Sequence, residues 1–239
     1  MNIMQVSINY KVDILYGSPT RSNCARIGVS TRNPRYSSEK LRALLDWTTQ
    51  RYHHVSIDVH DSLQQYNYQT SEALSPTEAR KLAIEEGDNW IKLNMPIIIQ
   101  YPNISIYRHD ELAKKVNHLE RLEYLIHLYQ SDRKFAELID SESISAKNRK
   151  EKRGELGTPR LRESFLHFSR LYILDELALM SLLNETETYV EFYAGRFLNF
   201  LKNPDRLKIE GLPSGLKDYP LVEVDFIRAK SRALEFKVA

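Results

Sequence analysis

Apolar and polar positions alternate in blocks along the chain, and the blocks predict its elements. Short apolar runs at Asp13–Leu15 and Ala25–Val29 are followed by EKLRALLDW, Glu39–Trp47, whose leucines recur at helical spacing. Val55–Val59, VSIDV, alternates residue by residue as a strand does, and Ile104–Tyr107 is another strand candidate. Between them Ser75-Pro76-Thr77-Glu78 marks a helix start. Ser75 suits the N-cap, Pro76 the first helical position, and Glu78 closes a capping box. That helix runs on through ARKLAIEEGDNWIKL. From Asp110 to about Ile139 the pattern is helical, with Leu112, Val116, Leu119, Leu122 and Ile126 along one face. Ser141–Arg162 is the most polar stretch. A long helix is predicted from about Pro159 to Leu183, with short strands flanking Tyr189 and Val222. Strands alternating with helices predict an α/β fold, a Rossmann-like parallel sheet with helices on both faces. One domain over residues 1–239 suffices for a core of that size.

Composition narrows the function classes. The chain is 42% hydrophobic and 28% charged, as globular proteins are, and its net charge is only +2. Any affinity for nucleic acid must therefore come from where the charges sit. The single cysteine, Cys24, excludes an internal disulfide framework and a cysteine-based zinc site. The opening MNIMQVSINYKVD lacks the apolar centre of a signal peptide, and no apolar run reaches the length of a membrane span. The expectation is a soluble cytoplasmic protein. There is no phosphate loop of the G-x-x-x-x-G-K-[ST] type and no G-x-G-x-x-G fingerprint. Histidines at 53, 54, 60, 109, 118, 127 and 167 form no H-E-x-x-H pattern, so they read as scattered surface residues, and no metal is expected.

Three segments carry candidate chemistry. In CARIGVSTRNPRYSS, Ser30 stands where Ile27-Gly28-Val29 gives way to a loop. Ligands collect outside the carboxyl ends of strands in open α/β sheets, although most strand-end serines are turn residues. The segment is not a G-x-S-x-G elbow, since its last position is Arg32. In LYILDELALMSLL, Tyr172 and Glu176 lie one above the other on one helix face, among apolar residues on nearly every side. A buried Glu176 either pairs with an arginine such as Arg170 or, beside a phenol, holds a cationic amine. In TYVEFYAGRFLNF, Tyr189 and Tyr193 stand in a strand-like run, with a further helix expected from Gly195-Arg196-Phe197.

Gly28-Val29-Ser30 with Asn33, then Tyr172-x-x-x-Glu176, then a tyrosine about twenty residues on, together resemble the cyclodipeptide synthase family. The similarity spans roughly Ile14 to Leu201. It implies a fold like the catalytic domains of class I tyrosyl- and tryptophanyl-tRNA synthetases, and consumption of two aminoacyl-tRNAs to make a cyclic dipeptide. By that resemblance Ser30 accepts the first aminoacyl group as an ester, Tyr172 and Glu176 grip its ammonium, Tyr193 assists cyclisation, and Asn33 shapes the loop beside Ser30. An aminoacyl ester is already activated, so the implied reaction asks for no ATP site, metal or other cofactor. The resemblance also places the strand face of Arg26, Gly28 and Ser30, and that of Glu191 and Tyr193, around the first aminoacyl pocket, with Leu179 as another wall. Family pockets for Phe or Leu are apolar, so Arg26 and Glu191 imply either a polar wall or an Arg26–Glu191 pair closing the pocket.

Two departures from the family pattern matter. Tyr193 is followed by Ala194, where the family has histidine or proline, and Tyr189 is a second candidate for the cyclisation role. The helix that family members make strongly basic offers here only Arg80, Lys81 and Lys92 against Glu78, Glu85, Glu86 and Asp88. Basic charge gathers instead at Lys147, Arg149, Lys150, Lys152, Arg153, Arg160, Arg162 and Arg170, against Glu151, Glu155 and Glu163. With the resemblance, that run reads as a phosphate-contacting patch for tRNA, aided by Lys114, Lys115 and Arg121. The protein is expected to act as a monomer. The rival readings are a serine hydrolase of small esters and a non-catalytic tRNA-binding domain.

Overall fold

The computed structural model describes residues 10–19, 22–156 and 159–228, without the side chains of 71 and 159–163. Six strands form one sheet in the order β1 (Tyr10–Tyr16), β6 (Leu221–Arg228), β5 (Val190–Ala194), β2 (Cys24–Val29), β3 (His54–Val59) and β4 (Ile104–Arg108). All neighbours are parallel except β1, which adds to β6 antiparallel at the edge. The expected parallel α/β sheet is thus present, with one reversed edge strand.

The central strands have two chemically different faces, because alternate residues point opposite ways. Ala25, Ile27 and Val29 of β2, Val55, Ile57 and Val59 of β3, and Phe192 and Ala194 of β5 are fully buried on one side. They pack against α1 (Ser38–Thr49) through Leu41, Leu44 and Leu45, and against α3 (Pro76–Ile98) through Trp90, Ile97 and Ile98. The α3 start carries the predicted Ser75–Glu78 capping box. The other face presents Arg26, Gly28, Ser56, Asp58, Glu191 and Tyr193, in register: Arg26 pairs with Ser56 and Glu191, and Gly28 with Asp58.

Over that polar side lies α7 (Pro159–Thr186). It is apolar almost all round because its outer side is also covered. Ile173, Leu174 and Leu177 share a core with Leu125 and Leu128 of α5 (His118–Ser131), and with Phe135 and Ile139 of α6 (Arg133–Lys152). The single helical stretch expected from Asp110 to Ile139 is in fact divided. α4 (His109–Lys115), α5 and α6 are separated at Val116-Asn117 and at Asp132, whose carboxylate caps α6 by accepting from Phe135 N at 2.8 Å. The polar stretch from Ser141 is the second half of α6. No helix starts at Gly195, which has φ +105°; the next element is a 3-10 turn at Asn199–Lys202. Among the described residues no helix is long and apolar enough to cross a membrane.

Candidate active site

The site sits at the carboxyl ends of β2, β3 and β5, where the ladder between β2 and β5 stops. That ladder pairs Ala25–Ile27 with Val190–Phe192. One residue further, the buried Tyr36 hydroxyl stands between the strands, donating to Gly28 O at 2.5 Å and accepting from Ala194 N at 2.8 Å. It satisfies backbone groups that the splayed strands no longer offer one another. Asn33 closes a turn on Ser30, its N–H reaching Ser30 O at 2.9 Å, and its side chain donates to Ala194 O at 2.9 Å. The loop beside Ser30 is therefore pinned to the end of β5.

From α7, Tyr172 and Glu176 come down one above the other. Buried Gln64, in the 3-10 turn after β3, directs its amide nitrogen at Ser30 Oγ (3.3 Å) and at the Tyr172 hydroxyl (3.4 Å). His60, just past the end of β3, holds Nδ1 at 3.3 Å from Glu176 Oε1. Tyr193 packs edge-on against Tyr36, ring centres 6.3 Å apart. Burial and the Glu176 carboxylate push the Tyr172 and Tyr193 phenols above their ordinary pKa, so both are protonated donors at neutral pH. Burial would depress His60, but its hydrogen bond to Glu176 and that carboxylate's charge outweigh this and raise it.

Ser30, Tyr172, Glu176 and Tyr193 are thus brought together around Gln64 and His60. Tyr189, just before β5, lies elsewhere: its ring is 4.6 Å from the Arg26 guanidinium and its hydroxyl 3.4 Å from that of Tyr219. Leu179 is buried beside it, with Leu112 and Leu183. Glu176 does not pair with Arg170, which binds Asp140 at 2.7 Å. Nor does Arg26 pair with Glu191. Its guanidinium takes Asp58 (2.7 Å) and Glu187 (2.6 Å), because β3 and the end of α7 bring those carboxylates closer.

The histidines overturn the expectation of scattered surface residues. His60 and His109 are buried, and the rings of His60, His109 and His118 stack edge-to-face at 5.7 and 5.6 Å. His109 and His118 point Nε2 at Asp175 Oδ1 (3.2 and 3.0 Å), and Tyr66 donates to its other oxygen at 2.9 Å. Burial alone would raise Asp175, but the two histidine bonds hold it well below the usual carboxylate range. Among the described residues His109, His118 and Asp175 are the group whose donor atoms, all within 4.8 Å, converge enough for a metal ion. As they stand both histidines bond to Asp175 through Nε2, while the buried Nδ1 of His109 has no hydrogen-bond partner among the described residues.

The basic run divides. Arg149 and Lys150 line a cavity of about 160 Å³ with Tyr66, Phe165, Phe168 and Tyr172. Lys150 Nζ donates to Asn67 at 3.2 Å, and burial lowers its pKa, with Arg32 adding repulsion. Lys152 is exposed, whereas Lys147 is paired with Glu151 (3.7 Å) and Arg153 with Glu155 (2.8 Å). The side chains of Arg160 and Arg162 lie outside the described residues. Arg121 is taken up by Glu185 and Ser181, each at 2.8 Å, and Lys115 lies 3.7 Å over the Tyr107 ring. Neither joins the patch.

Sequence reasoning missed His60, Gln64 and Tyr36. For the first two a signal existed in DVHDSLQ, since His60 follows β3 as Ser30 follows β2.

No protein-family model matches the sequence, and no curated protein matches it. Solved structures share its fold. A CDPS from Fluoribacter dumoffii aligns with TM-score 0.78 at 19% identity, covering 92% of this chain and 100% of that one. A cyclodipeptide synthase from Candidatus Glomeribacter gigasporarum, solved bound to Phe-tRNAPhe, aligns with TM-score 0.64 at 19% identity, covering 92% and 94%. A Mycobacterium tuberculosis protein, whose structure relates cyclodipeptide synthetases to type I tRNA synthetases, aligns with TM-score 0.57 at 15% identity, covering 87% and 86%. The fold is therefore that of the cyclodipeptide synthases, as the sequence resemblance implied.

Proposed function

We propose that this protein is a tRNA-dependent cyclodipeptide synthase, which joins the aminoacyl groups of two aminoacyl-tRNAs into a diketopiperazine through esters on Ser30. The observation that carries this reading is the convergence of a strand-end serine, a carboxylate and two protonated phenols in a fold shared with such enzymes.

The Ser30 hydroxyl attacks the ester carbonyl of the first aminoacyl-tRNA. The carbonyl–ribose bond breaks, and the serine proton leaves with the ribose oxygen. Gln64 donates to Ser30 Oγ, so the serine proton is free to point at the incoming ester. The ammonium of the bound residue rests between Glu176 and the Tyr172 hydroxyl. Its proton passes to the Glu176–His60 pair, and the freed amine attacks the second aminoacyl ester, forming an amide and releasing the second tRNA. The terminal amine of the dipeptidyl ester then attacks the carbonyl held on Ser30. The ring closes as the carbonyl–Oγ bond breaks, and the proton lost by the attacking amine restores the Ser30 hydroxyl, with the Tyr193 phenol hydrogen-bonding the departing oxygen. Splitting the condensation in this way replaces one hard step by easier ones.

The test is expression in a bacterial host with a mass-spectrometric survey of the medium, Ser30→Ala alongside. A cyclic dipeptide made by the wild type and absent with the variant is expected. In parallel, purified protein mixed with labelled aminoacyl-tRNA should carry an ester on Ser30. Failure to form that ester, with hydrolysis of small esters indifferent to tRNA, turns the reading to a serine hydrolase.

A further inference from the structure

Three residues from three helices meet next to Glu176, in a group that the proposed reaction does not use. Asp175 comes from α7, His109 opens α4 and His118 opens α5. Both histidines direct Nε2 at one oxygen, Asp175 Oδ1, at 3.2 and 3.0 Å, while the Tyr66 hydroxyl donates to the other oxygen at 2.9 Å. The three converging atoms all lie within 4.8 Å of one another. Metal bonds of about 2.0 Å at tetrahedral angles set neighbouring ligand atoms about 3.3 Å apart, so two edges of a zinc shell are already in place. Hydrogen bonding alone serves the group poorly. His118 has one Nε2–H to divide between Asp175 Oδ1 and the Asp175 carbonyl, at 3.0 and 3.2 Å. His109 is buried for one polar contact, since its Nδ1 has no partner among the described residues, and burying a polar ring for so little is costly.

We propose that His109, His118 and Asp175 bind a divalent transition-metal ion, zinc by preference, which clamps α4 and α5 to α7. The inference is independent of the function proposed above, because no step of that reaction passes through the ion. Two imidazole nitrogens and a carboxylate oxygen are ligands that zinc takes readily, whereas Mg²⁺ and Ca²⁺ ask for a shell of oxygens. Tyr66 supplies the outer hydrogen bond that a ligating carboxylate needs, and so fixes which oxygen faces the ion. The way in is past His118, whose side chain is 12% exposed against 4% for His109 and 9% for Asp175. Three protein ligands leave the fourth position to water. Asp175 follows Tyr172 by one helical turn and directly precedes Glu176, so an ion held there fixes the turn of α7 that carries both.

The experiment uses the purified full chain, stripped with a chelator and desalted. Zinc is titrated in against a chromophoric competitor, and Co²⁺ takes its place for visible spectroscopy, where a shell of few ligands absorbs far more strongly than the hydrated ion. One zinc per chain is expected, and saturating zinc should raise the midpoint of thermal unfolding, as a ligand of the native state does. Tyr66→Phe keeps all three ligands and loses only the outer contact, so its zinc affinity should drop roughly tenfold. His118→Ala removes a ligand and should lose more than that. His53→Ala, at an exposed position outside the group, should leave the affinity unchanged. His118 is the least buried of the three, and with Tyr66→Phe it keeps the test open should variants at His109 fail to fold. A wild type that takes up no stoichiometric zinc overturns the inference. So does zinc bound equally well by His118→Ala, or a Co²⁺ spectrum identical to that of the hydrated ion. None of these results bears on the Ser30 ester, so the synthase reading stands or falls separately.

Discussion

Tyr193 and Tyr189 show how far position outweighs residue type. Tyr193 is a half-buried phenol of β5 and Tyr189 a buried one just before it, but the first stands with Tyr36 and Asn33 at the mouth of the site and the second against Arg26. Tyr193→Phe should therefore slow ring closure by about tenfold or more and let dipeptidyl ester accumulate on Ser30, visible as added intact mass. Tyr189→Phe should leave that step unchanged. Glu191 supports a prediction about stability. Its folded pKa, about 7, exceeds the unfolded value near 4.3, so the folded state holds a proton that the unfolded state has lost between those limits. The stability linked to that proton is present below about pH 4.3 and is lost as pH rises through about 7. Glu191→Gln, a permanent mimic of the protonated form, should be more stable than wild type at pH 8 by about 3 kcal/mol, and equal near pH 4. Urea denaturation at both pH values checks the sign.

At the scale of elements, α7 serves two sites with neighbouring residues. Glu176 faces β3 and His60; Asp175, about 100° round the helix, faces α4 and α5 and gathers His109, His118 and Tyr66. Asp175 thereby joins the helices that cover the site to the one that carries Tyr172 and Glu176. Asp175→Asn removes the negative charge that two histidines face and turns one of the two acceptor oxygens into a donor. It should cost about 3 kcal/mol by urea denaturation. A drop in stability under about 0.5 kcal/mol would sink this reading of Asp175 as an anchor. The break at Val116-Asn117 serves the same end, because it separates the helices that begin at His109 and His118 and lets both residues turn toward α7. The hydrophobic period runs on across that break and the one at Asp132, and so hides them. The N-cap role of Asp132 has no distinct signature in the sequence, since a lone Asp within a polar helix is ordinary.

For the molecule as a whole, a net charge of +2 hides a local asymmetry. Arg149 and Lys150 line the cavity beside Tyr172, with Arg32 close enough to depress Lys150; Lys152 is exposed, while Lys147 and Arg153 are offset by glutamates. Charge reversal at Lys150, Lys152 and Arg153 should weaken tRNA binding and reduce its salt dependence. The logarithmic salt slope should drop by about one for each phosphate that the protein no longer neutralises. Most of the effect should come from Lys150 and Lys152, since Arg153 already has a partner. Binding and slope unchanged across a salt titration would remove this surface from the tRNA footprint.

The alternation in CARIGV, VSIDV and VEFYA by itself determined that one face of the sheet would be aliphatic and the other would carry Arg26, Asp58, Glu191 and Tyr193. That is so because side-chain direction along a strand is a local property of the backbone. The Ser75 cap, the long helix bearing Tyr172 and Glu176, and the position of Ser30 at a strand end were legible for the same reason. Only the tertiary structure decided the partners: His60 rather than Arg170 for Glu176, Asp58 and Glu187 rather than Glu191 for Arg26, and Gln64 between Ser30 and Tyr172. These pairs join residues 32 to 161 positions apart or depend on a loop's path. A buried charge takes whichever opposite group the crossing of helix and strand brings nearest, and no local pattern encodes that distance.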